Sequence, residues 1–196
     1  MKKFFLVVLT AIAFAACQKE SNSPQQIDLV GSWNFTSLNA QTQTVAEYDF
    51  FGTAEKSIST SNYITTNNAG TVTFDGSVMN TVGLTYTVST SVKMYTYEND
   101  VLIDSAELPF TYTLPSTNST AEYELIGSDS IYFPNGSFVS TSGTSTQSGP
   151  SGGRINISGN LLTLSQWLNN DTTEVVAGIS YHIVQTAKAI ISLTKQ

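Results

Sequence analysis

Ser151 is the first residue whose setting could support a reaction. It stands in Gly149-Pro150-Ser151-Gly152-Gly153, a serine in the G-x-S-x-G pattern, and Asp171 and His182 follow it in the order nucleophile, acid, base. A histidine oriented by a carboxylate can take the proton of a serine hydroxyl and make its oxygen a nucleophile for acyl transfer. That chemistry needs a strained strand-to-helix turn that lifts the serine above a sheet. Nothing helical follows Ser151, which lies in a Ser/Gly-rich tract. Two-residue alternation also sets His182 on the face opposite Val175, Ala177, Ile179, Tyr181 and Ile183, toward solvent. The chain is therefore read as a non-enzyme.

Other reactive groupings are as sparse. One histidine and one cysteine are too few ligands for a zinc site. Glu98, Asp100 and Asp104 crowd one stretch but lack the spacing and central glycine of a calcium loop, so they read as a solvated, charged turn. Glu122 and Glu124 share the strand face opposite Tyr123 and Leu125, which turns both carboxylates outward. No metal and no cofactor is expected.

The remaining reactive side chain is the single cysteine, Cys17. Lys2 and Lys3 precede an uncharged, largely apolar run from Phe4 to Ala16. A membrane-spanning helix needs ~20 apolar residues, so this run reads as an export signal over residues 1–16. Phe14-Ala15-Ala16-Cys17 resembles the lipobox of bacterial lipoproteins, with Phe14 where an aliphatic residue is usual. The resemblance implies that Cys17 is acylated and anchors the chain in a membrane. Gln18, where aspartate would mean inner-membrane retention, implies the outer membrane. Residues 17–26 then form the lipidated cysteine and a polar tether, and residues 27–196 a single domain held without a disulfide. Removing Lys2 and Lys3 leaves six cationic residues against fifteen acidic ones, a formal −9. That balance excludes nucleic acid as a partner, since phosphate neutralisation needs Lys and Arg. The domain is expected to be a monomer.

What must position these residues is a set of strands. Leu84, Tyr86, Val88, Val92 and Met94 alternate with Thr85, Thr87, Ser89, Ser91 and Lys93. A second run places Ala106, Leu108, Phe110, Tyr112 and Leu114 on one face. Pairing positions whose numbers sum to 200 aligns both apolar faces, Val92 with Leu108 and Val88 with Tyr112, and sets Lys93 against Glu107. Hairpins are also expected around Gly127-Ser128-Asp129, with Tyr123 and Leu125 facing Phe133 and Ile131, and around Gly159-Asn160, with Ile157 facing Leu162 and Ile155 facing Leu164. Gly31 to Leu38, Thr71 to Val78, a segment from Val175 to Ile183 and a final strand ending AIISLTK complete nine or ten strands without a helix. Residues 39–69 are weakly patterned, with Tyr48, Phe50 and Phe51 able to make a short strand or a plug. Residues 134–153 are low in complexity.

Short antiparallel connections make an all-β, up-and-down antiparallel barrel of about 8–10 strands, with a β-sandwich as the alternative. Gly31-Ser32-Trp33 at the first strand resembles the G-x-W motif of lipocalins. With the lipobox and tether before it, the chain is similar to the lipocalin-like lipoproteins of Bacteroidetes. The resemblance implies a calycin-like barrel in which Trp33 plugs the closed end. Lipocalins commonly pack an arginine from the last strand over that tryptophan; here the last strand offers only Lys188 or Lys195. Asp104-Ser105-Ala106, Asp129-Ser130-Ile131 and Asp171-Thr172-Thr173 resemble the O-glycosylation acceptors of the same bacteria. Tyr86, Phe110, Tyr112, Tyr123 and Phe133 fall on the faces assigned inward and are the candidate lining for a small hydrophobic ligand. The competing expectation is a structural or surface-interaction lipoprotein that meets a protein or glycan with no ligand cavity.

Overall fold

The computed structural model describes residues 27–136 and 150–196. The predicted signal, Cys17, the tether and most of the low-complexity tract, Gly149 included, lie outside these residues. Among the described residues ten strands form one antiparallel sheet: β1 (Gly31–Phe50), β2 (Thr53–Ile64), β3 (Thr66–Phe74), β4 (Val78–Glu98), β5 (Val101–Glu122), β6 (Glu124–Ile126), β7 (Ser130–Phe133), β8 (Ser151–Ser158), β9 (Leu161–Val176) and β10 (Ile179–Lys195). No helix occurs among the described residues.

The pairing follows chain order. β1 is flanked by β10 on one side, and on the other by β3 along its first residues and β2 along its later ones. β2 and β3 in turn both pair β4, so they occupy one column of the sheet with an interruption at Thr65. There the Thr65 hydroxyl accepts from the Leu38 N–H at 2.9 Å and its own N–H donates to the Leu38 carbonyl at 2.9 Å, so the break leaves no orphan. From β10 the sheet continues through β9, β8 and β7 to β6. At the other limit β5 pairs β4. Only Tyr123 separates β5 from β6, so one nearly continuous stretch of chain pairs at both ends of the sheet's path.

The expected registers hold. Val92 pairs Leu108, Val88 pairs Tyr112 and Lys93 pairs Glu107; Leu125 pairs Ile131; Ile157 pairs Leu162 and Ile155 pairs Leu164. Two expectations need correction. Residues 39–69 form neither a short strand nor a plug: they complete β1, turn at Phe51-Gly52, and run through β2 into β3. The reason is visible in the residues: small and hydroxyl-bearing side chains on the inner face (Ala40, Thr42, Thr44, Ser57, Ser59, Ser61) stand against mainly polar ones on the outer face, a contrast with few large apolar residues and so a weak period. The C-terminal segments also divide differently, with Val175 and Val176 ending β9 and Ile179 through Lys195 forming one strand.

The core lies at the end of the sheet where β1 begins. Trp33, Phe35, Leu38 and Ala40 of β1 meet Val72 and Phe74 of β3, Met79, Leu84, Tyr86 and Val88 of β4, Ile131 and Phe133 of β7, Ile155 of β8, Leu162 and Leu164 of β9, and Ala189, Ile191 and Leu193 of β10. Leu29 and Tyr123 complete it. This is the proximal half. Beyond Ala40, Val88 and Ala189 the strands of β1, β2, β4, β5, β9 and β10 run on together into a distal half that contains no buried side chain of the core cluster.

Candidate functional site

The inner face is the one that carries Trp33 and the core, and side-chain parity continues it into the distal half. On β4 it runs from Tyr86 and Val88 through Thr90, Val92 and Met94; on β5, from Leu114 through Tyr112 and Phe110 to Leu108. On β1 and β10 the opposed pairs are Ala40 with Ala189, Thr42 with Ala187, Thr44 with Gln185, Ala46 with Ile183, and Tyr48 with Tyr181. On β2 the row is Tyr63, Ser61, Ser59 and Ser57. The result is a floor of small and hydroxyl-bearing side chains with larger apolar and aromatic ones on β4 and β5.

The five candidate lining residues divide between the two halves. Phe133, with no exposed surface, Tyr123 and Tyr86 are core residues. Their rings are engaged, Phe74 edge-on to Tyr123 at 5.4 Å and Phe35 tilted on Tyr86 at 6.0 Å. The Tyr123 hydroxyl accepts the Gly76 N–H at 3.1 Å. These three belong to the core and have almost no exposed surface. Phe110, by contrast, is 44% exposed and Tyr112 half-buried, and Leu108 and Met94 beside them are also exposed. The sequence marks all five as sharing a face, but only Phe110 and Tyr112 remain accessible on it.

Burial tunes the phenols. Desolvation raises Tyr86 to about 12, with the neighbouring Tyr63 and Tyr112 adding to the shift, and burial raises Tyr63 in the same direction. Both stay neutral hydroxyls across the ordinary pH range. No ionised side chain belongs to the buried set, whose polar members are Thr65, Thr81, Ser151 and Gln166. On the distal inner face the side chains stay neutral up to Ala46, Met94 and Ile183, which suits an apolar molecule with neutral hydrogen-bonding groups. Glu55, Glu98 and Glu174 share that face at its mouth.

Gly31 and Trp33 lie at the proximal end. Trp33 is 1% exposed, and its indole N–H donates to the Leu29 carbonyl at 3.0 Å. Lys195 of the last strand holds its Nζ 5.4 Å from the Trp33 ring centroid. Gly31 has φ 130°, open to glycine and rarely to other residues, and a Cβ there would stand 3.9 Å from Lys195 Cε. Lys188 lies over the other tryptophan, Trp167, at 6.0 Å.

The remaining groupings separate. Ser151 pairs Phe133, shares its inner face and is buried, and its Oγ has no hydrogen-bond partner among the described residues. His182 is exposed on the outer face, where Nε2 lies 2.8 Å from Asp171 and Nδ1 3.6 Å from Glu47. Glu47 also meets Lys56 at 3.1 Å, and Lys56 meets Asp100 at 3.5 Å. The acid and base of the serine pattern are thus a surface ion pair within a five-residue row, and the sheet stands between them and Ser151. The hydrogen bond that His182 donates to Asp171 raises the His182 pKa first, and the contact with Glu47 adds to it. The row was missed in the sequence because its members come from four strands and a hairpin tip. Glu122 accepts from Asn135 Nδ2 at 3.2 Å. Among the described residues, no three His, Cys, Asp or Glu side chains gather closely enough to hold a metal ion. An open cleft of about 340 Å³ at the distal end is lined by Glu47, Tyr48, Asp49, Ala54, Glu55, Lys56 and Asp100, away from the candidate lining residues.

No family model matches the chain, and neither a curated protein nor a solved structure matches it.

Proposed function

We propose that this chain is a lipid-anchored protein of the cell envelope, held at the outer membrane through Cys17, whose sheet closes as a lipocalin-like barrel and binds a small hydrophobic molecule on the distal inner face. Closure is supported by the Tyr123 junction. With β2/β3 and β5/β6 each counted as one column, the order β1, β10, β9, β8, β7, β6/β5, β4, β3/β2 returns to β1 through pairs that are all antiparallel. Eight columns enclose a space that side chains can fill or that can hold one small ligand. The Gly31, Trp33 and Lys195 arrangement supports the same reading, with a cation of the last strand over the tryptophan of the first.

The observation that carries the ligand is the split of one face into a packed and an open part. Proximally its aromatics are buried against one another; distally Phe110, Leu108 and Met94 stay exposed beside Tyr112. Contiguous exposed apolar surface is a binding feature.

The test uses the neutral fluorophore N-phenyl-1-naphthylamine, which brightens on leaving water. Saturable enhancement is expected, reduced at least five-fold in affinity by Phe110→Ser with Leu108→Ser and unchanged by Tyr86→Phe. Native mass spectrometry of the protein from its own cells would then show a co-purifying small molecule. The filled proximal core favours a second reading, an envelope lipoprotein that meets a protein or glycan partner. Absence of saturable fluorophore binding would select that reading.

A further inference from the structure

We propose that three hairpin tips at the distal end form an edge that inserts into the interface of a zwitterionic lipid bilayer. This does not rest on the ligand reading, because the exposed apolar residues of the tips are none of those proposed to hold the ligand, although Tyr48 and Tyr181 behind them belong to the same inner face.

The tips are neighbours at one level of the sheet. Phe50 pairs Thr53 across the β1–β2 turn, Glu98 pairs Val101 across the β4–β5 turn, and Ile179 pairs Val176 across the β9–β10 turn. The register Tyr48 to Tyr181 aligns the first and third turns, and Glu55 to Glu98 aligns the first and second. A backbone bond from the Asn99 N–H to the Ala54 carbonyl at 2.8 Å ties the middle pair together. Each tip carries exposed apolar side chains: Phe50 and Phe51, Val101 and Leu102, Val175 and Val176.

Phe51 is the most telling. It is 94% exposed with φ 52°, followed by Gly52 at φ 85°. Two left-handed residues make the type I′ turn, whose preferred first residue is Asn or Asp. The β4–β5 tip follows that preference, with Asn99 and Asp100 at φ 48° and 63°. At Phe51 a bulky aromatic takes a conformation that disfavours it while its ring lies in solvent, so neither the turn nor the core accounts for it. The Asp49 carboxylate accepts the Gly52 N–H at 2.7 Å and holds the turn in place.

The order of side chains behind the apices fits a bilayer interface. At the β1–β2 tip Phe51 leads; at the other two Val101 with Leu102 and Val175 with Val176 stand just behind Asn99-Asp100 and Ala177-Gly178. Tyr48 and Tyr181, whose rings lie 4.7 Å apart, follow, with Tyr97 one residue deeper on β4. Hydroxyl-rich strand comes next. Tyrosines with an apolar body and a wet end belong at the headgroup level. Charge then selects the lipid. Asp49, Glu98, Asp100 and Glu174 flank the tips, and Lys56 is engaged by Glu47 and Asp100. Anionic headgroups would meet carboxylates, and zwitterionic ones would not.

The experiment is flotation of the chain from residue 17 onward, with Cys17→Ser so that no acyl group can attach. Phosphatidylcholine vesicles are expected to carry wild type. Phe50→Ser with Phe51→Ser should lower the bound fraction at least five-fold. Replacing a third of the lipid by phosphatidylglycerol should weaken binding at low salt. Phe51→Asn separates folding from binding: it restores the preferred turn residue and should hold or raise the melting temperature while lowering vesicle binding at least three-fold. Wild type that stays unbound, a double variant that floats as well as wild type, or tighter binding to phosphatidylglycerol would overturn the proposal and leave the tips to a protein partner.

Discussion

Lys195 stands directly opposite Trp33 in the β1–β10 ladder and holds its ammonium over the indole, 5.4 Å from the ring centroid. The indole is at the same time the largest buried side chain of the proximal core and a donor to the Leu29 carbonyl. Three contributions therefore meet at one residue, and substitutions separate them. Trp33→Ala should cost about 3–5 kcal/mol in urea unfolding through cavity formation. Trp33→Phe should cost less, mainly the smaller ring and a hydrogen bond of roughly 1 kcal/mol. Lys195→Ala should cost about 0.5–1 kcal/mol, and Lys195→Arg should cost nothing or stabilise, since a guanidinium stacks on an indole as well as pairing with it.

One face with two environments gives a second expectation. Phe133 is fully buried and Phe110 is 44% exposed, although alternation marks both as inward. Phe133→Ala should destabilise by about 3–5 kcal/mol, and Phe110→Ala should change stability by no more than about 0.5 kcal/mol. Equal costs from denaturant titration would contradict the division of the sheet.

That contrast shows what the sequence made legible. Parity gave the β4–β5 register from Tyr86 to Thr96, because a one-position slip would have set Val92 against Glu107 in place of Leu108; outside that span the ladder shifts by one, at Leu84 and at Tyr97. Parity says which way a side chain points and not whether anything covers it, so Phe110 and Phe133 read alike as inward. Coverage depends on how far β7 and β8 extend, and these strands are four and eight residues long against 22 for β5. Residues 39–64 were illegible for another reason: Thr42, Thr44 and Ala46 on one face and Gln41, Gln43 and Val45 on the other differ too little to give a period. The contact of Lys195 with Trp33 was not read from the sequence, where Lys188 and Lys195 stood only as a departure from the arginine the resemblance implies; the β1–β10 register sets Lys195 opposite the indole, and the surface row through His182 had no sequence signature.

Gly70 offers a test of close packing between β3 and β4. Its φ is 120°, and an added Cβ would lie 2.7 Å from Leu84 Cα, a backbone atom that cannot swing aside. Gly70→Ala should destabilise by roughly 2–3 kcal/mol, through the strain of that conformation and overpacking together. Gly76, also at positive φ but with nothing within 4 Å of its Cβ position, should lose less on the same substitution. Thermal melts of the two variants decide it.

The outer-face row makes stability depend on pH with a definite sign. His182 is raised above its ordinary 6.5 by Asp171 and then Glu47. Its contribution is fully present below the unfolded value and is lost as pH rises through the folded one. Glu47 is lowered below 4.5, first by its hydrogen bond from Lys56, so its contribution is present above the unfolded value and lost as pH falls. The melting-temperature difference between wild type and His182→Gln should therefore be largest between about pH 4.5 and 6.5 and shrink toward pH 9. A difference that grows with pH would reverse the assignment.

The most direct test of the account maps where the fluorophore sits. Backbone amide chemical shifts recorded during titration with N-phenyl-1-naphthylamine should move along residues 42–48, 57–63, 88–94 and 108–112, with Trp33, Phe74 and Phe133 undisturbed. Shifts centred on those three buried aromatics, or spread evenly over the outer face, would contradict a binding site on the distal inner face.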